Sequence, residues 1–111
     1  MHTIEKEVGG VVVLYFSGRL DASAANEADT KLNTLTEKLP VQVVINLDKL
    51  DYISSSGLRV FLASLKKARK QQGDIKLACL QPYVKEVFDI AGFSTLFNIF
   101  DEEEEAINSF K

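Results

Sequence analysis

The run Val41, Val43, Val44, Ile45 and Leu47 is apolar at nearly every position. A strand with one wet face alternates apolar and polar residues. A strand apolar on both sides has to be covered on both, as the inner strands of a parallel sheet are. Segments of a different period flank this run. Ala25, Ala28, Leu32, Leu35 and Leu39 recur at three- and four-residue spacing before it, and Leu58, Phe61, Leu62, Leu65 and Ala68 after it. Each set is the apolar stripe of a helix. Helices alternating with a two-sided apolar strand predict an α/β fold with parallel strand pairs and helical cover.

The remaining elements follow from local chemistry. Residues 4–8 and 11–16 read as two strands, and Gly9-Gly10 suits the positive φ of a tight hairpin between them. Ser17-Gly18 marks the end of the second strand. Asp21 or Ser23 is available to cap the first helix, and Pro40 to stop it. Residues 48–57 read as a connection, and Gly73 as the positive-φ end of the second helix. Ile75, Leu77, Cys79 and Leu80 form a short strand. Pro82 opens a third helix through Val84, Val87, Phe88 and Ile90, ending near Gly92. Leu96, Ile99 and Phe100 predict a last strand, and residues 101–105 begin a helix containing Ala106, Ile107 and Phe110. The expected order is ββαβαβα(βα), a mixed sheet of four to five strands with about four helices, in one domain over residues 1–111.

Composition narrows the chemistry. The 111 residues include one histidine, His2, and one cysteine, Cys79. A Ser-His-Asp or Cys-His centre would need His2 held rigidly at a terminus, and zinc sites of several His and Cys are excluded by count. Neither metal nor cofactor is expected, nor an enzyme of the usual hydrolase kinds. With 13 Lys+Arg against 16 Asp+Glu, the formal net charge is −3. That balance lacks the basic footprint of a nucleic-acid binder. The first residues lack the apolar core of a signal peptide, no span for membrane insertion is present, and a lone cysteine fits a reducing compartment, so a soluble cytoplasmic protein is expected.

The least ordinary segment is Asp51-Tyr52-Ile53-Ser54-Ser55-Ser56-Gly57-Leu58-Arg59. Three serines and a glycine stand between a buried strand and an amphipathic helix, where unpaired amides and the positive end of the helix dipole face outward. Two readings stay open on the residues alone. The serines serve as cap and turn, or they present a hydroxyl where a phosphoryl group is well received.

This segment resembles the signature loop of the STAS domains (sulphate transporter and anti-sigma factor antagonist domains), whose soluble bacterial members carry Asp-Ser-(Ser/Thr/Ala)-Gly-Leu there. Further matches run along the chain: Gly18-Arg19-Leu20-Asp21-Ala22 to the Gly-x-Leu-Asp element, Val44-Ile45-Asn46-Leu47 to the preceding strand, and Gln81-Pro82 and Gly92-Phe93 to the C-terminal half. The resemblance implies a non-enzymatic anti-sigma factor antagonist. Such a protein binds an anti-sigma factor that is itself a serine kinase, is released by phosphorylation on a loop serine, and is reset by a serine phosphatase. Mapped onto this chain, the acceptor is Ser55, with Ser56 the next candidate. The partner surface comprises Asp21, Ser54, Ser55, Ser56, Gly57 and Arg59. Ser54 departs from the pattern, since many members carry aspartate there.

Two alternatives belong to other classes. A cytoplasmic accessory subunit of a membrane transport complex keeps the fold and changes the partner. A nucleotide-binding module would use the same helix N-terminus, but the chain lacks a Gly-rich Lys-Ser/Thr phosphate loop. The cations Lys66, Lys67, Arg69 and Lys70 read as a solvated helix face, Asp101 to Glu105 as dipole-complementing acids, Cys79 as a core residue, and Phe88, Phe93, Phe97 and Phe100 as packing.

Overall fold

The computed structural model describes residues Met1–Lys111. The hairpin β1 (His2–Val8) and β2 (Val11–Leu20) leads to α1 (Ala25–Thr36), β3 (Gln42–Ile53), α2 (Ser55–Lys70), β4 (Asp74–Ala78) and α3 (Pro82–Ile90). A single 3₁₀ turn (Phe93–Thr95), β5 (Ile99–Phe100) and the short α4 (Glu103–Asn108) complete the chain. The five strands lie in the order β1-β2-β3-β4-β5. Only the β1–β2 pair is antiparallel. The α/β order expected from the periodicities is the observed one.

The two-sided strand is β3. Val43, Ile45 and Leu47 enter the large core beneath α1, α2 and α3, while Val44 joins Val11, Val13, Ala78, Ala106 and Ile107 beneath α4. Alternate side chains of a strand point to opposite faces, so a run apolar at every position satisfies both layers. Phenylalanines link the elements of the larger core. Phe16 and Phe61 have ring centroids 5.8 Å apart, Phe61 and Phe88 6.1 Å, and Phe88 and Phe97 6.0 Å. Such tilted and edge-on pairs add about 0.5–1.5 kcal/mol each beyond burial.

A helix of one and a half turns has little stability of its own, so α4 has to be held by the sheet. Asn46 Nδ2 donates to Glu103 Oε1 at 3.0 Å, and Lys6 pairs with Glu103 at 3.4 Å. At the other end Lys76 Nζ donates to Ser109 Oγ at 2.7 Å and to the Ser109 carbonyl at 3.2 Å. The acidic run opens this helix, with a reciprocal capping box between Glu102 and Glu105.

Several expected boundaries move. The second strand does not stop at Ser17-Gly18, and residues 48–53 are strand rather than connection. Gly18, at φ 96, lies between two shifts in register with β3, after which pairing resumes as Arg19 opposite Tyr52 and Leu20 opposite Ile53. A glycine that reads as punctuation in sequence here makes a bulge inside a continuing ladder.

Neither Asp21 nor Ser23 is the residue at the start of α1. That place belongs to Ala24, and α1 stops at Thr36 instead of running to Pro40. Gln71 Nε2 donates to the Thr36 carbonyl, a cap supplied by a neighbouring helix that no local pattern announces. The left-handed residue after α2 is Gln72, at φ 62. Gly73 is required for closeness: a Cβ there would lie 2.3 Å from the Val41 carbonyl oxygen. Cys79 falls outside β4, in left-handed conformation and only partly buried. It lies just past the strand end and packs against the edge of the smaller core, so its packing role stands while its place in the strand does not.

Candidate functional site

The site is built where β2 and β3 end side by side. The Ser54 amide donates to the Leu20 carbonyl at 2.8 Å, extending the ladder one residue past Ile53. Ser54 is still extended (φ −87, ψ 169), and Ser55 is already helical. Ser54 Oγ accepts from the Gly57 amide at 3.1 Å, and the Ser54 carbonyl accepts from the Leu58 amide at 2.9 Å. The strand thus passes into α2 through one capping residue, with no loop between.

The three serines consequently differ. Ser54 is half-buried and its hydroxyl oxygen already accepts a backbone hydrogen bond. Ser56 is half-buried, and Ser55 is exposed at the first helical position. Gly57 is buried, and a Cβ on it would meet Leu20 Cγ at 2.8 Å and Ile53 Cγ1 at 3.0 Å. Its lack of a side chain lets α2 begin hard against the two strand ends.

Leu20 also carries the neighbouring turn. Asp21 follows it, and Asp21 Oδ1 accepts from Ser23 Oγ at 2.7 Å and from the Ala24 amide at 3.1 Å. These bonds, the Ser23 hydroxyl first, hold the Asp21 carboxyl below the usual carboxylate range. The carboxylate is therefore charged at neutral pH and fixed in direction. The Leu20–Ser54 bond joins this turn to the serine turn, so Asp21 and Ser54 stand at neighbouring strand ends.

One contact at this end was not visible in the sequence. The Arg19 guanidinium lies 4.3 Å from the Tyr52 ring centroid, which fixes an exposed cation beside the strand ends. The pairing depends on the bulged register, and no local signal in either strand reports it. Arg59 is exposed one turn into α2. The ion pairs of the molecule use Lys6, Lys31, Lys67, Arg69 and Lys85, and Arg59 enters none.

The other α2 cations are partly structural. Arg69 binds Asp74 at 3.2 Å and the Leu96 carbonyl at 2.8 Å, and Lys67 reaches Glu37 at 3.9 Å. The solvated-face reading holds for Lys66 and Lys70, while Lys67 is half-buried against Asn33 and Arg69, though exposed, is held by Asp74 and the Leu96 carbonyl. A hollow of about 340 Å³ lined by Ile4, Tyr15, Asn46 and Asp48 opens on the sheet face that α4 covers, away from α2. That hollow is separate from the serine turn, where Ser55 and Arg59 are the exposed groups. Fold and turn together define an α/β domain with a mixed five-stranded sheet and a serine-capped helix that starts where β2 and β3 end.

Comparison with known proteins gives the class its family. The STAS domain model matches residues 3–106. A Bordetella bronchiseptica protein, BtrV, whose name sets it among the anti-sigma factor antagonists, is 37% identical over 109 residues, covering 98% of this chain and 93% of its own. The anti-sigma-B factor antagonist of Bacillus subtilis is 32% identical over 88 residues, covering 79% of this chain and 80% of its own. Among solved structures, the anti-sigma factor antagonist SpoIIAA in its unphosphorylated form superposes with a TM-score of 0.83 at 24% identity, covering 98% of this chain and 96% of that one. The Bacillus cell fate determinant SpoIIAA in the phosphorylated form gives 0.75 at 23% identity, covering 99% and 100%. The chain belongs to the STAS-domain family of anti-sigma factor antagonists, the regulatory proteins of partner switching.

Proposed function

We propose that this protein binds an anti-sigma factor serine kinase through the surface of Asp21, Ser54, Ser55, Ser56, Gly57 and Arg59, and that phosphorylation of Ser55 releases it. The observation that carries the choice of serine is the contrast within the turn: Ser55 is exposed, while the Ser54 oxygen caps α2 and Ser56 is half-buried. In the forward step Ser55 Oγ attacks the γ-phosphorus of a nucleoside triphosphate held by the kinase. The Oγ–P bond forms, the bridging P–O bond breaks, the diphosphate leaves, and the hydroxyl proton passes to a base of the kinase. A serine phosphatase reverses the state by hydrolysis, returning the hydroxyl and inorganic phosphate.

Phosphorylation adds about −1.5 to −2 charges at neutral pH. At a helix N-terminus this gains only about 0.3–1 kcal/mol inside the protein. Across a closed interface, like charge and steric clash cost several kcal/mol. About 1.4 kcal/mol is tenfold in affinity, so loss of the partner follows without a change of fold. The two solved forms of SpoIIAA, both of this fold, support that economy.

Incubation with a candidate anti-sigma factor serine kinase and ATP, followed by peptide mass mapping of residues 51–67, tests the reading. Phosphate on Ser55, abolished in Ser55→Ala, is the expected result. Phosphate on Ser56 alone, or none in the presence of a kinase that binds, overturns it. Co-purification with a transporter ATPase in place of an anti-sigma factor would redirect the function to a transport-complex subunit.

A further inference from the structure

We infer that Arg59 is the intramolecular ligand of the phosphoryl group on Ser55, so that phosphorylation both adds an anion and withdraws a cation from the partner surface. The inference rests on the reading of Ser55 as acceptor and extends it to what the modified residue does next. Ser55 and Arg59 are both exposed on α2 at positions i and i+4. Residues so spaced share one helix face, with Cβ atoms about 5–6 Å apart, and the favourable order sets the anion N-terminal to the cation. A guanidinium meets a phosphate with two parallel N–H donors, a match that lysine does not reproduce.

Arg59 is uncommitted in the unmodified protein. The helix cations Lys67 and Arg69 are tied to Glu37 and Asp74, whereas no carboxylate pairs with Arg59. The first turn of α2 contains no acidic residue, so no side chain of that turn competes for the guanidinium. Ser54 Oγ is held by the Gly57 amide, which keeps the cap out of the way of a phosphoryl group on the next residue. In the unmodified state Arg59 is thus free to donate to an acidic or carbonyl-rich partner surface. In the modified state it turns to its own helix.

The test installs phosphoserine at position 55 by genetic-code expansion, which needs no kinase, and follows the phosphorus resonance against pH. The second phosphate pKa, about 6 in an unpaired phosphoserine, is expected to be lower with Arg59 than in Arg59→Gln by about 0.2–0.4 pH units, the size of an exposed i,i+4 pair. Arg59→Lys should recover part of that difference, and the Arg59 Nε proton should shift on titration only in the phosphorylated wild-type chain. Equal phosphate pKa in wild type and Arg59→Gln would overturn the pairing while leaving Ser55 as acceptor intact. Failure of the kinase assay would remove the acceptor assignment while leaving the measured pairing intact.

Discussion

Gly57 stands so close to Leu20 that a Cβ on the glycine would lie 2.8 Å from Leu20 Cγ. Leu20 is fully buried, so it cannot swing into solvent to make room. The Gly57→Ala substitution is therefore expected to destabilise the fold by about 1–3 kcal/mol, the usual cost of overpacking. Urea unfolding measures it. A midpoint unchanged from wild type would show that the junction of β2, β3 and α2 yields more easily than its geometry says.

Ser54 and Gly57 make the cap of α2, and capping explains why serine can stand where many family members have aspartate. Both are preferred at that position. Ser54→Ala is expected to cost about 1 kcal/mol, whereas Ser54→Asp should be neutral or slightly stabilising, because a carboxylate also complements the helix dipole. Parallel unfolding curves of the two variants decide the point, and equal losses in both would refute the capping role.

On the proposed function, Ser55→Ala should keep wild-type affinity for the anti-sigma factor kinase, since the hydroxyl is exposed and caps nothing. Ser55→Asp should bind at least about tenfold more weakly, an effect of roughly 1.4 kcal/mol. Neither should change the unfolding free energy by more than about 0.5 kcal/mol, as for other surface changes. Calorimetric titration of both variants against the kinase gives the comparison, and matching affinities would remove the charge-based release.

The carboxyl of Asp21 is held down by the Ser23 hydroxyl first and the Ala24 amide second. A carboxylate with a depressed pKa in the folded state adds stability above its unfolded pKa, and that stability is lost as the pH falls through the folded value. The Asp21 turn should thus keep its geometry through the neutral and mildly acidic range and loosen only below the ordinary value of 3.8. Carbon-13 titration of the carboxyl is expected to show a midpoint under 3.8, rising in Ser23→Ala. A midpoint insensitive to that substitution contradicts the assignment of cause.

Lys76 is 9% exposed, and its ammonium caps the end of α4 through Ser109 while lying 4.3 Å from the Phe110 ring centroid. Lys76→Met keeps the length of the side chain and deletes the donors. Loss of about 1 kcal/mol of local stability is expected as roughly fivefold faster amide exchange in α4, with α1 and α2 unaffected. Uniform acceleration across the whole chain would mean that α4 does not open as a separate unit.

Much of this was legible before the fold was known. The doubly apolar run of β3 and the helical stripes of α1 and α2 announce themselves, because burial on two faces and burial on one leave different periods. The Gly9-Gly10 hairpin and the Pro82 start of α3 are matters of backbone geometry within a few residues, and both stand where local chemistry puts them. Residues 48–53 read as a connection because Asp48, Lys49 and Asp51 interrupt the pattern. Only pairing with residues 17–20 of β2, across a bulge, makes them a strand. Gly73 stands where the pattern puts it, but for a different reason. Left-handed backbone is a local property that fell to Gln72, whereas the closeness of Val41 is a tertiary one.

The amino-acid order alone determined an α/β sheet, the place of the serine-rich turn at the start of a helix, and the family to which that turn points. Periodicity and capping preference act over a few residues, so the chain carries them whatever it folds against. Only the folded molecule decided which hydroxyl is committed and which is free. That choice hangs on Ser54 meeting the Leu20 carbonyl and on Gly57 meeting the Leu20 side chain, and segments far apart in the chain come within those few ångströms only when the core has closed.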